Sequence, residues 1–341
     1  MRWRVKTGLA ETGLEPVARA ALLTEVAGLP EVARWLENLG PQQGIRLGTV
    51  HGSFDTCFEN AVGKLVTLGL GAGIEMLDSR VRPHRVWLAS QVFRPTGHVF
   101  DVFERALVAS LLATAGYGGD AAVREQVRSR LDTVSGFVQD GRYDIYDEPS
   151  RHKGVPEIWR NRPVIHPDLY PFGEFALPWI YDMYAFAALM PTLSPEDRQK
   201  VRGIVDYVLD PRYQGLSEGY GIIASGGRRY HAMGWDVRLP LPGAPATSAF
   251  QMGYWLQRLD LMASFEEARA SPWFAASMDH LECFATPQGA YSFPRMMIKE
   301  EKGYWITGSH MGLGENRRSR GALEIESTFW AQKIKRGAGR M

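Results

Sequence analysis

Phe100-Asp-Val-Phe-Glu-Arg-Ala-Leu-Val-Ala-Ser-Leu-Leu-Ala-Thr-Ala115 is apolar on almost every side after its first turn, with Leu107, Val108, Leu111 and Leu112 spread around it. A helix without a polar face is buried on most of its surface. Directly after it, Asp120 to Phe137 places charged residues on one side and apolar ones on the other, the pattern of a helix between core and solvent. Together they predict an inner helix backed by an outer one.

The alternation recurs in both directions. Pro178 to Met190 reads as buried, and Ser194-Pro-Glu-Asp-Arg opens an amphipathic helix to Leu209 with Pro195 at its first position. Ser248 to Met262 is again inner, Ser271-Pro272 opens an outer helix towards Phe284, and Leu323 to Ile334 is inner without an outer partner. Upstream, Pro30 divides residues 14–38 into two short helices, and Ser53 to Leu70 forms another, capped by Ser53 or Asp55. Inner helices alternating with outer ones describe an all-α chain: an α/α toroid (barrel) of about five to six helical hairpins in a single domain, 1–341. Long loops at 141–175 and 221–247, rich in Pro, Gly and aromatics, suit lids over a cavity, and Arg229 to Leu239 suits a minor β hairpin.

Gly–aromatic turns close the outer helices at Gly141-Arg-Tyr143, Glu218-Gly-Tyr220 and Gln288-Gly-Ala-Tyr291. With Gln214…Gly219-Tyr220 and Gln288-Gly289-Ala-Tyr291, the chain resembles the α/α-toroid superfamily of terpenoid cyclases and protein prenyltransferases, whose squalene-cyclase-like repeats carry Gln…Gly…Trp. The resemblance implies the toroid and, in a cyclase, an acid-initiated reaction on an apolar substrate. The Asp-x-Asp-Asp acid motif and the Asp-Asp-x-x-Asp diphosphate motif are absent, so the resemblance bears on fold more than on activity. Asp55-Thr-Cys57 matches the Asp-x-Cys spacing of prenyltransferase zinc ligands; a third ligand would come from His51, His98, His231 or His310. The alternative is an N-cap aspartate beside a buried thiol.

Bulk composition narrows the partners. The 341 residues carry 39 basic and 38 acidic side chains, a net +1 that argues against a nucleic-acid surface. The basic tail Lys333-Ile-Lys335-Arg336 reads as a solvated helix end. Two distant cysteines, Cys57 and Cys283, make no disulfide framework, no signal-peptide h-region follows the N-terminus, and no apolar run reaches the roughly 18 residues of a membrane span. A cytoplasmic protein with a small-molecule substrate is expected, with no cofactor or metal implied and the oligomeric state left open.

At an inner-helix mouth the polar residues are His51, Asp55 and Glu59; His98, Asp101 and Glu104; Glu174, Tyr181 and Asp182; Ser248 and Gln251; and Glu324 and Glu326. Asp182 stands out, a carboxylate inside Trp179-Ile-Tyr-Asp-Met-Tyr-Ala-Phe186 that must pair, line a cavity or take a raised pKa. Its alternatives are general acid and salt-bridge partner of Arg160 or Arg162. The 159–170 segment adds these arginines as carboxylate clamps and His166 and Tyr170 as base and acid; Tyr230, His231 and Trp235 form a similar cluster. Three functions follow. The first is an acid-initiated enzyme with Asp182 as acid and Trp179, Tyr181, Tyr184, Trp255 and Phe329 around an apolar ligand. The second is a carbohydrate-active lyase or hydrolase using His166, Tyr170, His231 and the arginines, and the third a scaffold without a cavity.

Overall fold

The structure is a computed structural model that describes residues 15–40, 44–91, 97–226, 229–242, 249–319 and 321–339. Its longer helices are α1 (Pro16–Ala27), α2 (Pro30–Asn38), α3 (Phe58–Thr67), α4 (Glu75–Gln91), α5 (Val99–Leu112), α6 (Ala121–Val138), α7 (Ile180–Leu189), α8 (Pro195–Leu209), α9 (Ala249–Met262), α10 (Pro272–Glu282) and α11 (Ala322–Gly337). The segments read as apolar all round are the buried ones. In α3 every residue except Val66 is buried, and α5 and α7 are nearly as enclosed. These inner helices touch in sequence, α3 on α5, α5 on α7, α7 on α9 and α9 on α11, while α6 and α10 pack against them and α8 packs on α6. The chain is predominantly helical; strands β1 (Ile222–Ala224) and β2 (Tyr230–Ala232) form one antiparallel hairpin, Ile223 opposite His231.

One expectation needs correction, and one helix had none. The helix read from Ser53 begins at Phe58, with Cys57 as its N-cap and no side-chain cap bond, so Asp55 caps nothing. Helix α4 had no apolar signature: Glu75-Met-Leu-Asp-Ser-Arg-Val-Arg-Pro-His84 is polar and carries Pro83, yet Leu77, Val81, His84 and Leu88 give it a buried stripe. The Gly–aromatic turns are packing devices. Gly141, Gly219 and Gly289 each take a positive φ (61°, 64° and 80°), which glycine adopts without a Cβ clash. Their aromatics then fold back: Tyr143 stacks on Tyr207 at 4.5 Å, and the buried Tyr220 hydroxyl donates to the Pro178 carbonyl at 2.6 Å, ahead of α7.

The middle of the helical array is occupied by chain. Trp305 donates its backbone N–H to Asn60 and its indole N–H to Thr67 on α3, at 2.7 and 3.0 Å. Its carbonyl accepts from Gln257 on α9 at 2.7 Å, and its ring lies 4.8 Å from that of Tyr184 on α7. Further on, the Met311 carbonyl accepts from the Trp330 indole of α11. The approach of α3 to Trp305 requires glycine, since a Cβ on Gly63 would sit 2.3 Å from the indole. Lys64, fully buried, joins the same segment to α2 through Glu300, Glu31 (3.2 Å) and the Gly312 carbonyl (2.6 Å). A cavity of about 850 Å³ lies beside Arg258, Ile306 and Thr307, and another of about 630 Å³ beside Trp305, Gln257 and Arg336.

Candidate functional site

The N-terminal ends of three inner helices bring one ionisable cluster together. His51 follows the helical turn Leu47–Val50, and its Nδ1 lies 2.6 Å from the carboxylate of Glu59 on the first turn of α3. A carboxylate can only accept, so Nδ1 carries the proton; in the neutral ring Nε2 is then the lone-pair nitrogen. No hydrogen bond engages Nε2 among the described residues, and the side chain keeps 13% of its exposure while Glu59 keeps none. Among the described residues Glu59 Oε1 has no partner.

Aromatic rings box the imidazole. Tyr304 stacks on it at 5.1 Å, and Trp235 and Phe103 meet it edge-on at 4.6 and 5.3 Å. The Tyr181 hydroxyl is 3.4 Å from Nδ1. Burial first, then the charge of Glu59, hold the Tyr181 phenol well above its ordinary pKa; Tyr304 is raised by burial and then by Glu59. Both phenols therefore keep their protons at neutral pH.

Trp235 joins this cluster to the 850 Å³ cavity, since it also lines that space. Its φ of 65° is costly for a bulky residue, and the fold over-determines it. The Trp235 carbonyl accepts the first backbone N–H of α7, from Ile180, at 2.8 Å, and the preceding Gly234 N–H donates to Gly219 at 2.7 Å. Asp236 and Arg238 on the cavity wall satisfy each other at 2.8 Å. Arg258 does not have that arrangement. It is 1% exposed, gives one N–H to the Ile306 carbonyl at 3.0 Å and stacks 4.0 Å over Tyr254. Its Nε has no partner, and no carboxylate pairs with it among the described residues. A buried guanidinium of this kind favours an anion in the space it borders.

The expected site residues scatter. Asp182 is 2% exposed and fully engaged: Arg130 donates to both of its oxygens at 3.1 and 2.8 Å, and the Trp179 N–H donates at 2.9 Å. This is the salt-bridge alternative, with Arg130 of α6 in place of Arg160 or Arg162. Trp179 is buried beneath the Arg130 guanidinium, and Trp255 turns outward, its indole donating to Ser277 of α10. Arg160 is exposed beside Glu157, whereas Arg162 reaches the cavity rim. His166 pairs with Asp168 at the surface, and the Tyr170 hydroxyl accepts from the backbone N–H of Ala224, pinning β1. His231 is bonded to Ser225 and packs on His98 and Phe100, and Tyr230 packs on His152. Asp55 faces Arg34 at 3.5 Å. Tyr184 lines the smaller cavity, while Tyr181 and Trp235 belong to the His51 cluster. Ser248 lies outside the described residues, as does the Gln251 side chain.

Arg258 is the residue that sequence reasoning missed. The argument applied to Asp182, a lone charge inside an apolar inner helix, applies equally to Tyr254-Trp-Leu-Gln-Arg258-Leu. Among the described residues no group of three or more His, Cys, Asp or Glu is placed to hold a metal ion, and no helix is long and apolar enough to cross a membrane. Compared with known protein families, curated proteins and solved structures, the chain matches none.

Proposed function

We propose that the inner helices form an α/α toroid and that its mouth is a lyase-type acid–base site for an acidic saccharide. The observation that carries this reading is Arg258, a buried guanidinium without a carboxylate on the wall of an 850 Å³ cavity. Trp235 of that wall touches the Glu59-bound His51. Eliminating a group β to a carboxylate requires three things. A cation must hold the carboxylate and so acidify the adjacent C–H, a base must take that proton, and an acid must protonate the departing oxygen. Arg258 supplies the first and His51 Nε2 the second, with Glu59 steadying the imidazolium that forms. Tyr304, kept protonated and stacked on His51, supplies the third. The C–H electron pair becomes the new C=C bond as the C–O bond breaks, and no oxidant enters.

An acid-initiated cyclase is less well supported, because its expected acid, Asp182, is held by Arg130 and the Trp179 N–H. The test is incubation of the full chain with uronate-containing oligosaccharides, following the ultraviolet absorbance of the conjugated double bond. Wild type should generate it; His51→Asn and Arg258→Met should each lower kcat/KM at least a hundredfold, and Asp168→Asn should leave it unchanged. No absorbance from any uronate, or full activity in Arg258→Met, would overturn the proposal.

A further inference from the structure

The smaller cavity sits at the opposite ends of the inner helices. Thr67 of α3, Ala187 of α7, Ala263 just after α9, and Arg336 of α11 all border it. Three of its buried polar atoms lack partners among the described residues: the Tyr184 hydroxyl, which can donate or accept, and two that differ in kind. Gln257 is 3% exposed; its Nε2 donates to the Trp305 carbonyl, which fixes the amide orientation and leaves Oε1 as a buried acceptor without a donor among the described residues. Arg336 has a buried Nη1 without an acceptor and no ion pair among the described residues. Lys333 also lines the space but is neutralised by Asp260 and lies 4.9 Å over the Trp330 ring. With two cations and one carboxylate, the cavity carries a net positive charge. Its remaining walls include Trp305, Trp330 and Tyr184. The basic tail read as a solvated helix end is thus, at Lys333 and Arg336, part of a cavity.

We propose that this cavity is a second small-molecule site, for a cyclic carboxylic acid bearing a hydroxyl or amino group. The carboxylate would accept from Arg336 Nη1, the hydroxyl or amine would donate to Gln257 Oε1, and the ring would lie among the aromatic walls. A neutral ligand leaves Arg336 unmatched, and a ligand without a donor leaves Gln257 unmatched, so both groups are required for full affinity.

Calorimetric titration of the full chain with 4-hydroxybenzoate tests this. Wild type should bind one equivalent; Arg336→Gln should weaken binding at least tenfold, and so should replacing the probe by 4-hydroxybenzamide, which needs no variant. Arg258→Met, which alters the other cavity, should leave the affinity unchanged. Three results would overturn the site: no binding of 4-hydroxybenzoate, 3-aminobenzoate or indole-3-acetate at millimolar concentration, equal affinity for acid and amide, or loss of binding in Arg258→Met but not in Arg336→Gln. None of these depends on the lyase reading, which stands or falls on the uronate assay.

Discussion

Two arginines of this chain are each 1% exposed, and they are opposites. Arg130 gives its guanidinium to both Asp182 oxygens and to the carbonyls of Phe175 and Leu177, and lies over Trp179 at 4.3 Å. Arg258 makes one hydrogen bond to a carbonyl, stacks on Tyr254 and leaves Nε unmatched beside a cavity. The first is a closed account of charge and hydrogen bonds, and it fixes the entry of α7 against α6. The second is open among the described residues. Burial alone therefore says little about role; the completeness of the partners says more.

The largest expected effect attacks the closed pair. Arg130→Met strands the Asp182 carboxylate in the core and should cost about 3–5 kcal/mol of unfolding free energy in urea titration. Adding Asp182→Leu to Arg130→Met removes the stranded charge and should recover much of that loss. A cost below about 1 kcal/mol for the single variant would break the contrast between the two arginines.

A smaller effect comes from buried groups that avoid charge altogether. His84, stacked at 3.9 Å on Phe58 with both ring nitrogens unpartnered among the described residues, is pushed down to about 4 by burial; His310 is also pushed down to about 4, by burial first and then by Lys64. The unfolded chain takes up these protons near the ordinary histidine pKa of about 6.5, before the folded one does. Stability should be level above that pH, fall as pH drops towards about 4, and level again below it, by up to about 3 kcal/mol for each histidine. His84→Leu should remove roughly half of that fall and raise stability at pH 7 by about 1 kcal/mol, as followed by thermal unfolding across pH. An unchanged pH profile would mean that His84 is not the buried neutral group described.

Much of the fold was legible because inner helices such as α5 and α7 bury nearly every face. Val99–Leu112 and Ile180–Leu189 announce themselves by lacking a polar side, and Pro195 and Pro272 mark outer-helix starts in both sequence and structure. Helix α4 was hidden, since its buried stripe is only four residues among charges and Pro83 interrupts it. The candidate site was half legible. His51 and Glu59 fell among the polar residues at an inner-helix mouth, and Trp235 within an aromatic cluster. What the one-dimensional pattern cannot supply is pairing: Asp182 and Arg130 are 52 positions apart, and nothing in either segment names the other. Nor does it show that Trp305, 245 positions from Asn60, fills the interior.

That interior segment gives a prediction of intermediate size that bears on both cavities. Gly63→Ala places a methyl 2.3 Å from the Trp305 indole, and overpacking of this kind costs about 1–3 kcal/mol. Because the Trp305 and Ile306 carbonyls are held by Gln257 and Arg258, a displaced indole should also weaken anion binding beside Arg258. Urea titration and ligand titration on the same variant check the two effects. Lost stability with intact binding would show that Trp305 moves without carrying Arg258.

The smallest effect on stability should come from the open arginine itself. Removing Arg130 strands a carboxylate, but removing Arg258 strands the Ile306 carbonyl and no charge among the described residues. The variant also relieves the unmatched Nε and the desolvation of an uncompensated charge, so Arg258→Met should shift unfolding free energy by about 1 kcal/mol or less in either direction. Turnover of a uronate substrate should nonetheless collapse. That dissociation of stability from function separates a residue kept for its ligand from one kept for the fold. Were Arg258→Met as damaging to stability as Arg130→Met, Arg258 would belong with the scaffold, and its missing partner would have to be sought within the protein.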